Sequence, residues 1–246
     1  SHWSARLVPA CHAGLMLVGL YLAARHIAGE ATARRAVWVL GSSLAFLYGG
    51  QFINHDMLVA TWIGVAIWCF AAAILSEGRR RTGLALGGFA ACALGVLSKG
   101  LIGLVLPGLV LFIWLFVARL WHRVPRLPWV SGLLLFCAMA LPWFVLAQQK
   151  YPGLFDYLII GQHFRRYTGD NFNNQWPAWG YLVVLLVLLF PWALLVPFEG
   201  VTAVVRKRLG VLRSVSPWPA LLWIWLIAIT VFFSIPKSKL VGYILP

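Results

Sequence analysis

"MLVATWIGVAIWCFAAAILSEGRRR" occupies residues 57–81 and decides the fold class. Residues 57–75 carry no charge, and three consecutive arginines, Arg79, Arg80 and Arg81, close the stretch. A helix that crosses a bilayer needs about 20 mostly apolar residues. Arginines crowded just past such a run mark the cytoplasmic end of a span. The stretch therefore predicts a transmembrane helix with its C-terminal end inside.

Similar runs recur on both sides, at 7–24, 36–53, 84–97, 101–118, 129–147, 181–198 and 217–235, and a further one opens near Leu240. Composition agrees: 62% of the residues are hydrophobic, only 11% are charged, and the mean hydropathy is +0.86. That is far more apolar than a soluble domain. The expected fold is all-α, a polytopic helical bundle of about eight or nine spans. It is read as a single transmembrane domain over 1–246, with a long outer loop at 148–180. Ser98-Lys99-Gly100 separates 84–97 from 101–118, so these two runs form either a pair of spans or a re-entrant hairpin.

The net charge of +14 could suggest nucleic acid. The cations, however, sit in short loops between apolar runs, which is the pattern of membrane topology and not of a basic binding face. Arg25, Arg34 and Arg35 follow the first run; Arg79, Arg80 and Arg81 the third; Arg119, Arg123 and Arg126 the fifth; Arg206, Lys207, Arg208 and Arg213 the seventh. These alternate loops hold 13 of the 20 Lys and Arg residues and are predicted to be cytoplasmic. The four cysteines, Cys11, Cys69, Cys92 and Cys137, lie inside apolar runs without C-x-x-C spacing and read as small buried residues. With no initiator Met, and no charged segment ahead of the first run, no signal peptide is expected. A final Pro in mid-segment suggests a fragment cut at both ends.

The remaining loops fall on the outer side, and they collect the unusual side chains. Asp56 stands in "QFINHDMLVATW" (51–62), where it can cap the following helix or orient a sugar hydroxyl or a basic partner, two readings that are compatible. Lys99, in "VLSKGLIGLVLP" (96–107), is either a snorkelling interfacial lysine or a phosphate ligand that Gly100 lets the backbone approach. The stretch "DYLIIGQHFRRYTGDNFNNQWPAW" (156–179) offers Arg165 and Arg166 as interfacial anchors or as bidentate phosphate ligands. Its His163 is a metal ligand, a general acid/base or an ordinary hydrogen-bonded side chain. In "IPKSKLVGYILP" (235–246), a helix starting near Lys237 would put Lys239 and Tyr243 on one face, four residues apart, where both reach an anion.

Four segments in order carry a family resemblance: "HDMLV" (55–59), "LSKGLIGLVLP" (97–107), "HFRRYTGDNFNNQWPAWGYL" with "FPW" (163–192), and "PKSKLVGYILP" (236–246). Across nearly its whole length the chain resembles the GT-C class of membrane glycosyltransferases, in the branch of lipid A aminoarabinose transferases and protein O-mannosyltransferase-like proteins. The resemblance implies a polyprenyl-phosphate-linked sugar donor and a lipid (lipid A-like) or protein acceptor. It also implies work at the outer, periplasmic face of a bacterial inner membrane, with membrane lipids and no nucleic acid as partners. It makes Asp56 a site carboxylate, and Lys99, Arg165, Arg166, Lys239 and Tyr243 candidates for the lipid phosphate. It places His163 where members can hold a metal-associated histidine, so a divalent metal ion is the one cofactor expected. The family's main catalytic acid residue belongs to the first outer loop, expected upstream of "SHWSARLVPACHAGL" (1–15). A fragment lacking that loop is expected to be inactive alone. The competing readings are a transporter or flippase for an anionic lipid or solute, marked by mid-bilayer charge and repeats, and a scaffolding membrane protein.

Overall fold

A computed structural model describes residues 2–154, 177, 179–195, 217–236 and 241–246. Among these residues there is no strand. The helices are α1 (His2–Ala28), α2 (Glu30–Gly41), α3 (Leu44–Gln51), α4 (Asp56–Leu75), α5 (Gly78–Lys99), α6 (Ile102–Val117), α7 (Trp129–Lys150), α8 (Gly180–Leu188) and α9 (Pro217–Ser234). Short 3-10 turns cover Trp121–Arg126, Trp192–Leu195 and Val241–Ile244. Five helices, α1, α4, α5, α7 and α9, are long and apolar enough to cross a membrane.

α4 is the axis of the bundle. It is apolar all round, as a helix enclosed by others must be. Ala60, Ile63, Ala66, Ile67, Ala71 and Ala73 are fully buried, and α1, α5 and α6 pack about it. Lipid tails are as apolar as leucine, so close packing rather than water exclusion must hold such helices together. Small residues provide it: a Cβ on Gly88 of α5 would stand 2.9 Å from the Phe70 ring of α4, and one on Gly103 of α6 would run into the Gly95 carbonyl of α5. α5 and α6 thus meet backbone to backbone.

Two apolar runs fold differently from their hydropathy profile. The run 36–53 is not one helix. Gly41-Ser42-Ser43 breaks it: Ser42 Oγ donates back to Trp38 O (2.6 Å) and Ser43 Oγ to Leu40 O (2.8 Å). Ser43 then caps α3 by accepting from Phe46 N. At 12 and 8 residues, α2 and α3 are about 18 and 12 Å long, each too short to cross alone. The run 84–97, by contrast, is the middle of a longer element. α5 takes Arg79–Arg81 into its first turn and reaches Lys99, 22 residues in all or about 33 Å, enough for a full span. The chain then reverses at Gly100, whose φ of 77° only glycine adopts freely, and α6 returns beside it.

α4 also sorts the polar side chains. At its C-terminal end, Arg123 Nη1 donates to Ile74 O (3.3 Å) and Arg81 Nε to Ser76 O (2.9 Å). Arg80 meets His26 of α1, and Trp114 Nε1 ties the end of α6 to Pro217 O at the start of α9. The expected arginine-rich loops of the described residues thus gather at one end, and Asp56 opens α4 at the other.

Candidate functional site

Asp56 is the first residue of α4 and Lys99 the last of α5, so the antiparallel pair brings them to one end. Each charge suits its place: a carboxylate near a helix N-terminus and an ammonium near a C-terminus both complement the helix dipole. They form an ion pair, Lys99 Nζ donating to Asp56 Oδ1. Asn54 Nδ2 donates to the other oxygen, Oδ2. The side chain of Asp56 is only 5% exposed and that of Lys99 25%, so the pair sits largely out of water, where breaking it is costly.

The third participant comes from the other end of the chain. In the turn Val241–Ile244, the Tyr243 ring lies beneath the ammonium, 4.4 Å from Nζ to centroid. Tyr243 rests in turn on Phe233 of α9, with ring centroids 5.3 Å apart. Trp225 Nε1 fastens the last residue to α9 through Pro246 O (2.7 Å). Gly242 lies so close to Asp56 that any Cβ there would collide with Oδ2. Carboxylate, ammonium and phenol ring are therefore one assembly built from two helix ends and a turn, with α9 behind the ring.

An apolar groove of about 450 Å³, counting the space open to the outside, runs alongside. Met16, Phe46, Met57, Leu185, Leu188 and Ile244 line it. Met57 and Ile244 are the neighbours in sequence of Asp56 and Tyr243, so the groove adjoins the charged assembly through them, while Asp56, Lys99 and Tyr243 themselves do not line it.

Of the candidates read from the sequence, the structure joins Asp56, Lys99 and Tyr243. The Asp56 carboxylate both opens α4 and faces a basic partner, so its two readings are compatible, and Asn54 Oδ1 accepts from Asp56 N (3.4 Å) at that helix end. Lys99 is paired with Asp56 and lies over the Tyr243 ring. Arg165, Arg166, His163 and Lys239 lie outside the described residues, as does most of the loop 148–180. Tyr243 sits in the 3-10 turn Val241–Ile244; residues 237–240, where a helix would begin, lie outside the described residues. Among the described residues no cluster of three or more His, Cys, Asp or Glu side chains could hold a metal. Asn54 and Gly242 were not singled out by their types. An Asn two residues before an Asp at a helix start is a signal for the first; only the distant contact with Asp56 explains the second.

Comparison with known proteins adds independent information. Residues 1–146 match the profile of the family described as dolichyl-phosphate-mannose-protein mannosyltransferase. An undecaprenyl phosphate-alpha-4-amino-4-deoxy-L-arabinose arabinosyl transferase from Aeromonas salmonicida is 33% identical over 210 residues, which are 83% of this chain and 36% of that protein. One of the same description from Pseudomonas fluorescens (strain Pf0-1) is 28% identical over 246 residues, 98% of this chain and 43% of its own length. The crystal structure of ArnT from Cupriavidus metallidurans bound to undecaprenyl phosphate superposes with a TM-score of 0.86 at 29% identity, over 99% of this chain and 43% of that one. Its apo form gives 0.83. The chain thus spans about two fifths of the length of the relatives it matches.

Proposed function

We propose, from the premise that this chain belongs to the dolichyl-phosphate-mannose-protein mannosyltransferase family, that it forms the donor-lipid portion of a GT-C glycosyltransferase. The enzyme moves a sugar of the aminoarabinose kind from undecaprenyl phosphate to a lipid A-like acceptor, at the periplasmic face of the inner membrane. The observation that carries this reading is the Asp56–Lys99–Tyr243 assembly adjoining an apolar groove. A polyprenyl phosphate is an anionic head on a long oily tail, and the site offers a cation beside a greasy trough. The relatives named for this reaction and the bound lipid in the similar ArnT structure support it.

In the proposed reaction an acceptor oxygen attacks the anomeric carbon, and the bond from that carbon to the phosphate oxygen breaks. The lipid phosphate leaves as an anion. A cation held in place before the reaction stabilises that charge without reorganising, and this is the role assigned to Lys99. Tyr243 steadies the ammonium through its ring and offers its hydroxyl to the phosphate, with Arg165, Arg166 and Lys239 as further ligands. Asp56 orients Lys99. The residue that takes the acceptor's proton is assigned to a part of the enzyme outside this chain. A divalent metal at His163 remains a proposal. The described residues offer it no ligand set, and no step is routed through it. A lipid acceptor is favoured over a protein one by the names of the relatives. A transporter reading has no comparable support.

The test uses the full-length protein in nanodiscs. Undecaprenyl phosphate should be retained in native mass spectra, and radiolabelled sugar should pass from its undecaprenyl-phosphate carrier to lipid A. A protein that retains no polyprenyl phosphate and transfers no sugar would sink the assignment.

A further inference from the structure

The end of α4 away from Asp56 carries a second concentration of charge. Arg79, Arg80 and Arg81 lie in the first turn of α5, and Arg119, Arg123 and Arg126 follow α6. The ion pairs among the described residues are Arg25 and Arg34 with Glu30, and Lys99 with Asp56. None of these six arginines therefore meets a carboxylate among the described residues. Arg81 and Arg123 are partly satisfied by the last carbonyls of α4, although Arg123 Nε is buried without a partner. Arg80 is different. Its Nη2 stands 3.2 Å from both ring nitrogens of His26 on α1, and an imidazole supplies no negative charge to balance a guanidinium. Arg79, one residue before it, is also exposed, and the N-terminus of α5 adds its own partial positive charge.

α1 continues the pattern downwards. Leu15, Val18 and Leu22 are 39%, 55% and 58% exposed, and with His26 they follow one another at intervals of three and four, the spacing of a single helix face. An oily stripe thus runs along the bundle's outside and ends at a cationic corner. Trp121 and Trp129, both partly exposed, are the residue type that gathers at headgroup level. Free phosphate would use only the corner; an amphiphile would use both parts.

We propose that the α1–α5 corner is a binding site for an anionic phospholipid, with its phosphate between Arg80, His26 and Arg79 and an acyl chain along Leu22, Val18 and Leu15. The site is separate from the donor assembly, at the opposite end of α4, and does not depend on the reaction proposed above. Binding there would pin α1 to α5 through a headgroup that bridges the two helices.

The experiment titrates phosphatidylglycerol, with phosphatidylcholine in parallel, onto the full-length protein and counts retained lipid by native mass spectrometry. Phosphatidylglycerol should be retained in preference to phosphatidylcholine. The double variant Arg79→Gln/Arg80→Gln should weaken that retention about thirtyfold, the effect of two cations near a headgroup. Arg80→Lys keeps the charge and should stay within about threefold of wild type, which separates binding from folding. Arg6→Gln, at the far end of α1, should change nothing. Millimolar inorganic phosphate should leave the lipid bound. Equal retention in the double variant would overturn the site, as would equal retention of the two lipids. Displacement by inorganic phosphate would overturn the lipid as its occupant.

Discussion

Lys99 lies 4.4 Å above the ring of Tyr243 while the same ammonium is paired with Asp56. A cation between a carboxylate and a π face has its direction fixed before any ligand arrives. The ring and the hydroxyl of Tyr243 then have separable duties, and substitution can divide them.

Tyr243→Phe keeps the ring under Lys99 and removes only the hydroxyl. In the full-length enzyme affinity for undecaprenyl phosphate should fall about tenfold, the loss of one charge-assisted hydrogen bond. Tyr243→Leu removes both and should also lose about 0.5–2 kcal/mol of stability through the cation–π contact. Equal donor affinity in wild type and Tyr243→Phe would take the hydroxyl out of the site.

Asp56→Asn leaves Lys99 without its counter-charge. Breaking a well-buried pair costs about 3–5 kcal/mol; here the loss should be smaller, because Lys99 is 25% exposed. Asp56→Asn combined with Lys99→Met should recover much of that stability, while sugar transfer stays lost. If the double variant is as unstable as the two single losses added together, the two side chains are not coupled.

Gly242→Ala places a methyl group against Asp56 Oδ2. Overpacking of this kind costs about 1–3 kcal/mol, and here it should also displace the carboxylate from Lys99 and depress transfer. Gly14→Ala is the control: a Cβ at Gly14 meets nothing within 4 Å, and alanine suits a helix interior better than glycine. Thermal unfolding of the two variants should move in opposite directions. A shift of Gly242→Ala equal to that of Gly14→Ala would mean the turn is free to yield.

Orientation is checked by thiol labelling after Cys11, Cys69, Cys92 and Cys137 are replaced. His55→Cys, in the exposed turn beside Asp56, should react with an impermeant reagent in intact cells. Glu77→Cys, exposed at the arginine end, should react only after the membrane is opened. Labelling of Glu77→Cys alone from outside would invert the bundle.

Much of this was legible in the sequence because hydropathy is a strong local signal. The run 57–75 is α4 less its first residue, and 217–235 is α9 to within one residue. Hydropathy fails where composition and hydrogen bonding part ways. Ser42 and Ser43 barely lower the mean apolarity of 36–53, yet their hydroxyls bond back to the preceding turn and end the helix. Arg79–Arg81 lower the apolarity sharply, yet arginines continue a helix readily, so α5 begins well before its oily part. At the site, the charge pattern put Asp56, Lys99 and Tyr243 on one side, and the family motifs singled them out. Their mutual contacts were not legible, because Asp56 and Lys99 are 43 residues apart in sequence and no local periodicity encodes such a pairing. Gly242 was hidden for the same reason.

The backbone contact between Gly95 and Gly103 bears on how the site meets a changing membrane. No side-chain layer separates α5 from α6 there, so the hairpin has nothing to compress at its crossing. Lys99 stands one turn above Gly95. Its height is therefore referenced to two main chains instead of to a cushion of rotamers. A span longer than the hydrocarbon is thick accommodates partly by tilting, and a hairpin joined main chain to main chain is built to tilt as one piece. The ammonium travels with its pivot, as the tip of a rigid pointer does, and lipid thickness resets its angle without altering its reach.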